Sequence, residues 1–470
     1  MSEALKIPVW KRDWFLPGAS LLLLILAVYW PSFGYEFLNW DDPWYVINNP
    51  YNKSWAPSNL KGIAVDVINR NYAPLTMFVL LVEHTVFGIA PAGYHVFNTL
   101  LHVINAVLVY VLITQLTGRM RIGFWTAALF AVHPVQLESV VWVSSLKGLL
   151  CSTFILAHLI CCLRPQREPK RDAWGLLWFG LALLSKALTI VVPVIVWLYD
   201  VLVCKQKWAD ATARQFIPGL LSVWLLMTTM QAQEMTLGGL RGHFELSKPH
   251  ILAVDTVILW EYVGKLLCPT DLCVLYDPPT HGIAGSVAIA ALGWAIVAGL
   301  AWRLRDKFPL AVVGVATWLI LLLPVLNLTR ITTLMNDRYL YLPAVPFFAL
   351  LVCGIERLIS SKFPAVASPS GKEPTPRLWQ AVPVLATLAL TFMTSQYMPV
   401  WSTDQALWEH TLARLPHVPV VRIQYAWMLR NQGRIDDGIT VLRETNEHYK
   451  PDDLDRARIE ETIEEWRSAT

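Results

Sequence analysis

The sequence predicts an all-α protein that crosses a membrane many times. Of its 470 residues, 55% are hydrophobic and only 16% are charged, whereas a soluble domain is about 25% charged. Mean hydropathy is +0.44. Apolar runs near the length a helix needs to span lipid recur along the chain. Basic residues gather in alternate loops, as the positive-inside rule expects.

The apolar runs fall at about 14–34, 93–117, 122–137, 138–163, 173–185, 187–204, 214–232, 283–302, 308–326, 339–359 and 379–398, so about eleven spans are expected. The first lacks a small-residue cleavage site behind it and reads as a retained span rather than a signal peptide. Two further stretches, 74–89 and 251–267, are interrupted by Glu83 and His84, and by Asp255, Glu261 and Lys265. Charge is costly in lipid, so both are expected to lie in the interface or to re-enter it.

With a cytoplasmic N-terminus, nineteen Lys and Arg fall in cytoplasmic segments, such as Arg119 with Arg121 and Arg303 with Arg305 and Lys307, against eight in the opposite-side segments before residue 401. An odd number of spans then puts the C-terminus outside. Residues 36–92, 233–282 and 327–338 become extracytoplasmic loops. The segment 360–377, rich in Ser, Pro and Lys, becomes a cytoplasmic linker. The expected localisation is a bacterial inner membrane, with the C-terminus periplasmic.

From Trp401 the composition turns charged and amphipathic. Tyr425, Ala426, Leu429, Gly433, Gly438 and Leu442, with Pro416 and Pro451 close to one period of a tetratricopeptide repeat (TPR), predict a small TPR-like helical domain over 401–470. The membrane domain is then 1–400. A net charge of +3 gives no case for nucleic-acid binding. The seven cysteines are scattered, and Cys268 and Cys273 can pair only if they face an oxidising side.

Chemistry points to Asp41-Asp42, just after the first span and beside Trp40. Two carboxylates this close push one pKa up, leaving one as a base and the other as a donor or orienting group. Asp42 before Pro43 is also ordinary turn chemistry. Further polar clusters belong to the same membrane face. Arg70 and Tyr72 open the interfacial helix at 74. His133-Pro134 to Glu138 makes a tight reversal between two spans. Lys147 lies about two turns into the next span, and Lys186 lies in a turn. Asp337, Arg338 and Tyr339 precede span ten. Each cluster has a plainer account as a cap, a snorkelling lysine or a local ion pair. Ionisable residues that converge on one membrane face are nonetheless candidates for function. An outward carboxylate base with basic groups at the lipid surface suits a lipid-linked phosphate leaving group. No Gly-rich phosphate loop, no metal-spaced His/Cys set and no Gly-x-Ser-x-Gly elbow occurs, so no metal or other cofactor is predicted.

Several motifs occur in a fixed order: Asn39-Trp40-Asp41-Asp42-Pro43; Tyr72-x-Pro74-Leu75; Gly93-Tyr94-His95 with Asn98 and His102; His133-Pro134 with Glu138; Leu184-Ser185-Lys186; Pro269-Thr270-Asp271-Leu272; Asp337-Arg338-Tyr339-x-Tyr341-x-Pro343; and Trp401-Ser402-x-Asp404. Together they resemble the transmembrane-and-TPR protein O-mannosyltransferase (TMTC) family, in its bacterial branch, over nearly the whole chain. The resemblance implies a GT-C fold. It also implies transfer of a sugar, mannose in the animal members, from a polyprenyl-phosphate donor to an extracytoplasmic hydroxyl, with a protein acceptor held by the TPR-like domain. It implies Asp41 as catalytic base and Asp42 as its orienting partner. Arg338, Lys147, Lys186 and Arg70 would hold the donor phosphate. His133, Glu138, Tyr72, Asp337 and Tyr339 would line the pocket. Two departures stand out: Ala73 replaces an Arg of the family pattern, and Leu146-Lys147-Gly148 replaces Arg-Lys-Asp. Transfer to a lipid or glycan, a TPR scaffold and a transporter remain the competing readings. The transporter reading expects midplane polar groups and internal repeats, and the sequence has neither.

Overall fold

The computed structural model describes residues 15–67, 72–166, 168–236, 246–327, 333–362, 377–449, 451 and 453–468. Among these residues the regular structure is helical, with no strand.

Helix α1 (Phe15–Tyr29) is lengthened by a 3₁₀ turn, Trp30–Gly34, and leads into the loop that carries the acidic pair. Two short helices follow, α2 (Pro57–Val65) and α3 (Pro74–Phe87). Both begin on proline, whose fixed φ suits the first helical turn and whose missing N–H costs nothing there. Helix α4 (Pro91–Thr117) is the longest, at 27 residues. It ends on Gly118 at φ +70°, a left-handed cap that favours glycine. Helix α5 (Met120–Val132) then folds back against it. At Gly123 a Cβ would lie 2.1 Å from Thr114 Oγ1 and 2.8 Å from the Tyr110 carbonyl oxygen. The approach of α4 to α5 therefore requires glycine.

The expected tight reversal after α5 is instead a wholly buried segment, residues 133–145. It runs through a 3₁₀ turn Pro134–Gln136, a short helix α6 (Leu137–Val141) and a second turn Val143–Ser145. Pro134 holds His133 out of the α region and stops α5. The buried backbone groups released there need polar partners: Asn98 Nδ2 of α4 lies 3.4 Å from the Trp142 and Val143 carbonyls, and Asp42 accepts the Ser144 N–H. Helix α7 (Leu146–Cys162) starts only afterwards. Lys147 thus sits in its first turn, not two turns into a span.

The chain continues through α8 (Pro169–Leu183), a 3₁₀ turn Ala187–Val191 leading into α9 (Val192–Leu202), α10 (Trp208–Arg214), α11 (Phe216–Thr236) and α12 (Lys248–Leu267). Then come α13 (Ala284–Leu304), α14 (Pro309–Leu322), α15 (Ala344–Lys362) and α16 (Ala381–Tyr397). Among the described residues, six helices are long and apolar enough to cross a membrane: Phe15–Gly34, Pro91–Thr117, Val143–Cys162, Ala284–Leu304, Ala344–Ser361 and Ala381–Trp401. They make the chain an integral membrane protein. Met120–Val132, Ala187–Leu202, Phe216–Met230 and Pro309–Val325 are apolar but shorter. The run expected at 173–185 belongs to α8, whose first turn is charged by Lys170, Arg171 and Asp172. Helix α13 buries only Ala290, as a lipid-facing helix would.

The two interrupted stretches are α3 and α12; one acid of each turns inward, while His84, Glu261 and Lys265 stay half-buried. Glu83 and Asp255 are both buried, and Asp255 accepts a hydrogen bond from Asn327 Nδ2 at 2.9 Å. Cys268 is exposed and Cys273 is buried, and both are free thiols.

The tail folds as α17 (Asp404–Arg414), α18 (Pro419–Asn431), α19 (Ile435–His448) and α20 (Asp453–Ser468). Trp401, Leu407 and Trp408 belong to the main core. Ile423, Ala426, Ile439, Leu442, Ile459 and Trp466 form a small core of their own. The composition change at 401 therefore precedes the packing change, which falls within α18, where Val421, Met428 and Leu429 still face the main core and Ile423 and Ala426 face the small one.

Candidate functional site

The acidic loop is built around Asp42. Its carboxylate is fully buried. One oxygen accepts the Leu38 N–H at 2.9 Å. The other accepts the Ser144 N–H at 3.0 Å and the Ser144 hydroxyl. Asp42 thus ties the loop to the turn just before α7. Burial pushes its pKa up to about 7, the three hydrogen bonds oppose the rise, and the charge of Asp41 adds to it. Asp41 is only half-buried. Its carbonyl oxygen accepts the Trp44 and Tyr45 N–H groups, both at 3.0 Å. Of the two carboxylates, Asp42 is committed to structure and Asp41 keeps its side chain near solvent.

Behind the loop, Glu138 and Arg338 meet across 200 residues of sequence. Glu138 accepts the Arg338 backbone N–H at 2.8 Å through one oxygen and its Nη1 through the other. The guanidinium lies over Trp142 and Tyr339, at 5.4 and 5.1 Å from the ring centres. Burial works against its charge, but Glu138, Tyr339 and Asp41 outweigh that and raise its pKa. Asp41 is therefore close enough to be felt by Arg338. Neither Nη2 nor Nε of Arg338 has a partner among the described residues, so both can serve a ligand.

Two lysines complete the cluster. Lys147 donates to the Tyr45 hydroxyl at 3.2 Å and lies 4.4 Å from the ring centre. Lys186 stands in the turn between α8 and the 3₁₀ segment that precedes α9. Its ammonium has no acceptor among the described residues. Burial, then Lys147 and Arg338, push its pKa down to about 8, against Cys151 and Glu138. This turn is held by the start of α3. The Leu75 N–H reaches the Leu184 carbonyl at 3.0 Å, and the Thr76 hydroxyl reaches the Ser185 carbonyl at 3.1 Å. A Cβ on Gly148 would sit 3.7 Å from Lys186 Nζ. Gly148 thus places no carboxylate beside Lys186 Nζ.

The other expected site residues take supporting places. His133 is fully buried, with Nδ1 accepting the Val135 N–H at 3.3 Å and Nε2 3.2 Å from the Leu266 carbonyl. Burial pushes its pKa down to about 3, so the ring is neutral and both nitrogens are spent on pinning the buried segment to α12. Asp337 accepts the Tyr276 hydroxyl at 2.6 Å. Burial, and then Glu138, hold its carboxyl well above the usual range. The Tyr339 hydroxyl is 3.1 Å from Thr333 Oγ1. Tyr72 points elsewhere, with its hydroxyl on the Ala64 carbonyl at 3.0 Å and its ring against Trp224. Arg70 lies outside the described residues. No group of His, Cys, Asp and Glu suited to a metal occurs among the described residues.

Sequence reasoning missed Ser144, Tyr45 and Trp142, which position Asp42, Lys147 and Arg338. It also missed how the tail reaches the loop. Asp404 Oδ1 accepts the Asn39 N–H at 2.6 Å, and the Ser402 carbonyl accepts the Glu36 N–H at 3.2 Å. Trp40 packs on Trp408 at 5.2 Å between ring centres. The adjacency of Asn39 and Trp40 to the acidic pair, and of Ser402 to Asp404, was visible; their meeting was not.

No protein-family model matches the chain. It is 24% identical to human protein O-mannosyl-transferase TMTC1, over 90% of this chain and 53% of that protein. It is 26% identical to human TMTC4, over 62% of this chain and 48% of the relative. With mouse TMTC1 it shares 32% identity over 31% of this chain and 16% of the relative. The chain thus spans about half the length of the curated relatives it matches best along its length. Among solved structures, an oligosaccharyltransferase of Archaeoglobus fulgidus aligns with a TM-score of 0.47 and 12% identity, over 84% of this chain and 56% of that one. A likeness that loose decides nothing here. Along nine-tenths of its length, the chain is similar in sequence to a TMTC protein O-mannosyl-transferase.

Proposed function

We propose that the chain is an inverting glycosyltransferase of GT-C type, moving mannose from a polyprenyl-phosphate donor to a Ser or Thr hydroxyl of an extracytoplasmic protein. The observation that carries this reading is a half-exposed carboxylate, Asp41, set within electrostatic reach of Arg338, itself grouped with Lys147 and Lys186. A base alone would suit many reactions. A base facing several cations suits one in which a proton leaves an acceptor while negative charge builds on a phosphate.

In that step the acceptor oxygen attacks the anomeric carbon and its proton passes to Asp41. The bond from the anomeric carbon to the phosphate oxygen breaks, and its electron pair stays on the phosphate. The leaving group gains a negative charge that Lys186 and the free nitrogens of Arg338 would neutralise. Lys147, steered by Tyr45, would add to the field. Asp42 would fix the loop and Glu138 would fix Arg338.

The orientation that goes with this reading puts the N-terminus and the basic loops in the cytoplasm, and the acidic loop and C-terminus in the periplasm of an inner membrane. Residues 1–400 form the catalytic body, and 401–470 a TPR-like unit that presents the acceptor. The test is transfer of labelled mannose from polyprenyl-phosphate mannose to periplasmic protein, in membranes with and without the chain. Labelling of lipid or glycan instead of protein would move the acceptor class. No transfer by the intact chain with any polyprenyl-phosphate sugar would favour a scaffold.

A further inference from the structure

The face of the protein that carries the basic loops holds an apolar cavity, away from the acidic loop. It has a volume of about 390 Å³ and lies between α4, α7, α9, α14 and α15. Its wall is apolar, with Leu112, Leu159, Ile195, Val313, Leu321 and Ala349 among the side chains that form it. It opens beside Lys307 and Phe308, at the start of α14. An apolar cavity of this kind excludes water; one of about 150 Å³ already prefers an apolar ligand.

The mouth is charged in one sense. The ring of Phe308 has Lys307 Nζ at 5.4 Å and the Arg357 guanidinium carbon at 4.5 Å from its centre. Both cations are exposed, and neither has an ion-pair partner among the described residues. The nearby acids are spent elsewhere: Asp306 on Lys205 at 3.1 Å and Glu356 on Arg119 at 2.6 Å. Two unpaired cations at the mouth of a dry cavity form an amphipathic site, with an anionic head outside and a hydrocarbon chain within.

We propose that this cavity holds one acyl chain of an anionic phospholipid from the leaflet next to the basic loops, with its phosphate bound between Lys307 and Arg357. Basic pockets between membrane helices are suited to such head groups. The chain passes from one apolar setting to another, so the head group supplies the discrimination between lipids. The bound lipid wedges α14 and α15 at a fixed distance on the face opposite the reacting groups. The proposal stands apart from the sugar-transfer reading and does not depend on it.

The test uses the full chain in detergent and native mass spectrometry with added phosphatidylglycerol or phosphatidylcholine. One phosphatidylglycerol should bind tightly, and phosphatidylcholine at least tenfold more weakly. Lys307→Ala with Arg357→Ala should weaken phosphatidylglycerol about tenfold or more and make the two lipids alike. Ala349→Phe, which fills the cavity, should abolish the tight site while thermal melting shows a folded protein. If Ala349→Phe does not fold, the double cation variant decides alone, because both of its positions are exposed. Unchanged phosphatidylglycerol binding in the cation variant overturns the proposal. So does displacement of the lipid, one for one, by polyprenyl phosphate, which would make the cavity a donor-tail site.

Discussion

Asp404 accepts the backbone N–H of Asn39 at 2.6 Å, so the first helix of the tail is fastened to the loop that carries Asp41. A hydrogen bond to a charged group contributes about 1.5–3 kcal/mol. Asp404→Ala should therefore lower kcat for transfer roughly tenfold to a hundredfold, leaving donor affinity unchanged. Deleting residues 419–470, which spares α17, should keep the loop in place and impair only the use of protein acceptors. Steady-state kinetics with a protein acceptor and a short peptide separate the two effects. Equal losses from both changes, on both acceptors, would mean that α17 does not act through the loop.

Asp42 makes the stability of this face pH-dependent. Burial lifts its folded-state pKa to about 7, against about 3.9 in an unfolded chain. The folded state thus binds this proton more tightly, and the group's contribution declines as pH rises from about 4 to about 7 and is level above. Asp42→Asn should remove that component of the slope in melting temperature against pH. An unchanged slope would show that Asp42 is not the group being titrated.

Lys186 gives donor binding a pH dependence of its own. Free, its pKa is pushed down to about 8. A bound phosphate favours the ammonium, so affinity should be flat below about pH 7. It should weaken by up to about tenfold per unit as pH rises through 8, because the site must first take up a proton. Calorimetry in buffers of different ionisation heat measures that uptake. Lys186→Met should remove the slope. Gly148→Asp should also remove it, since a carboxylate placed there would pair with Lys186 and hold it charged.

Arg338 cannot be removed alone without cost. Arg338→Ala leaves Glu138 buried and unpaired, a loss of about 3–5 kcal/mol. Glu138→Gln combined with Arg338→Met should recover most of the melting temperature but none of the donor affinity. Full recovery of both would show that the pair only holds the segment 133–145 in place.

The sequence carried the membrane character and the candidate groups, because hydropathy and ionisable residues near span ends are local signals. It could not carry their division of labour. Asp41 and Asp42 are neighbours of the same type, and what separates them is the burial of Asp42 with its Leu38 and Ser144 contacts. The partnership of Glu138 with Arg338 joins two motifs 200 residues apart. The sequence shows a tight reversal only at 133–138 and a span from 138, because Val140 to Val143 are apolar enough to pass for the start of that span. His133 drew notice as an ionisable group, yet burial keeps it neutral and bonded at both nitrogens.

The central claim is that Asp41 accepts the proton of the attacking hydroxyl, and Asp41→Asn tests it most directly. Asn keeps the size and one acceptor oxygen but cannot take a proton, and the clamp of Asp42 on Ser144 and Leu38 remains. A general base contributes about a hundredfold to ten-thousandfold. Transfer of labelled sugar by the purified variant should fall by that factor, with melting temperature and donor affinity equal to those of the wild type. Transfer at the wild-type rate would contradict the account.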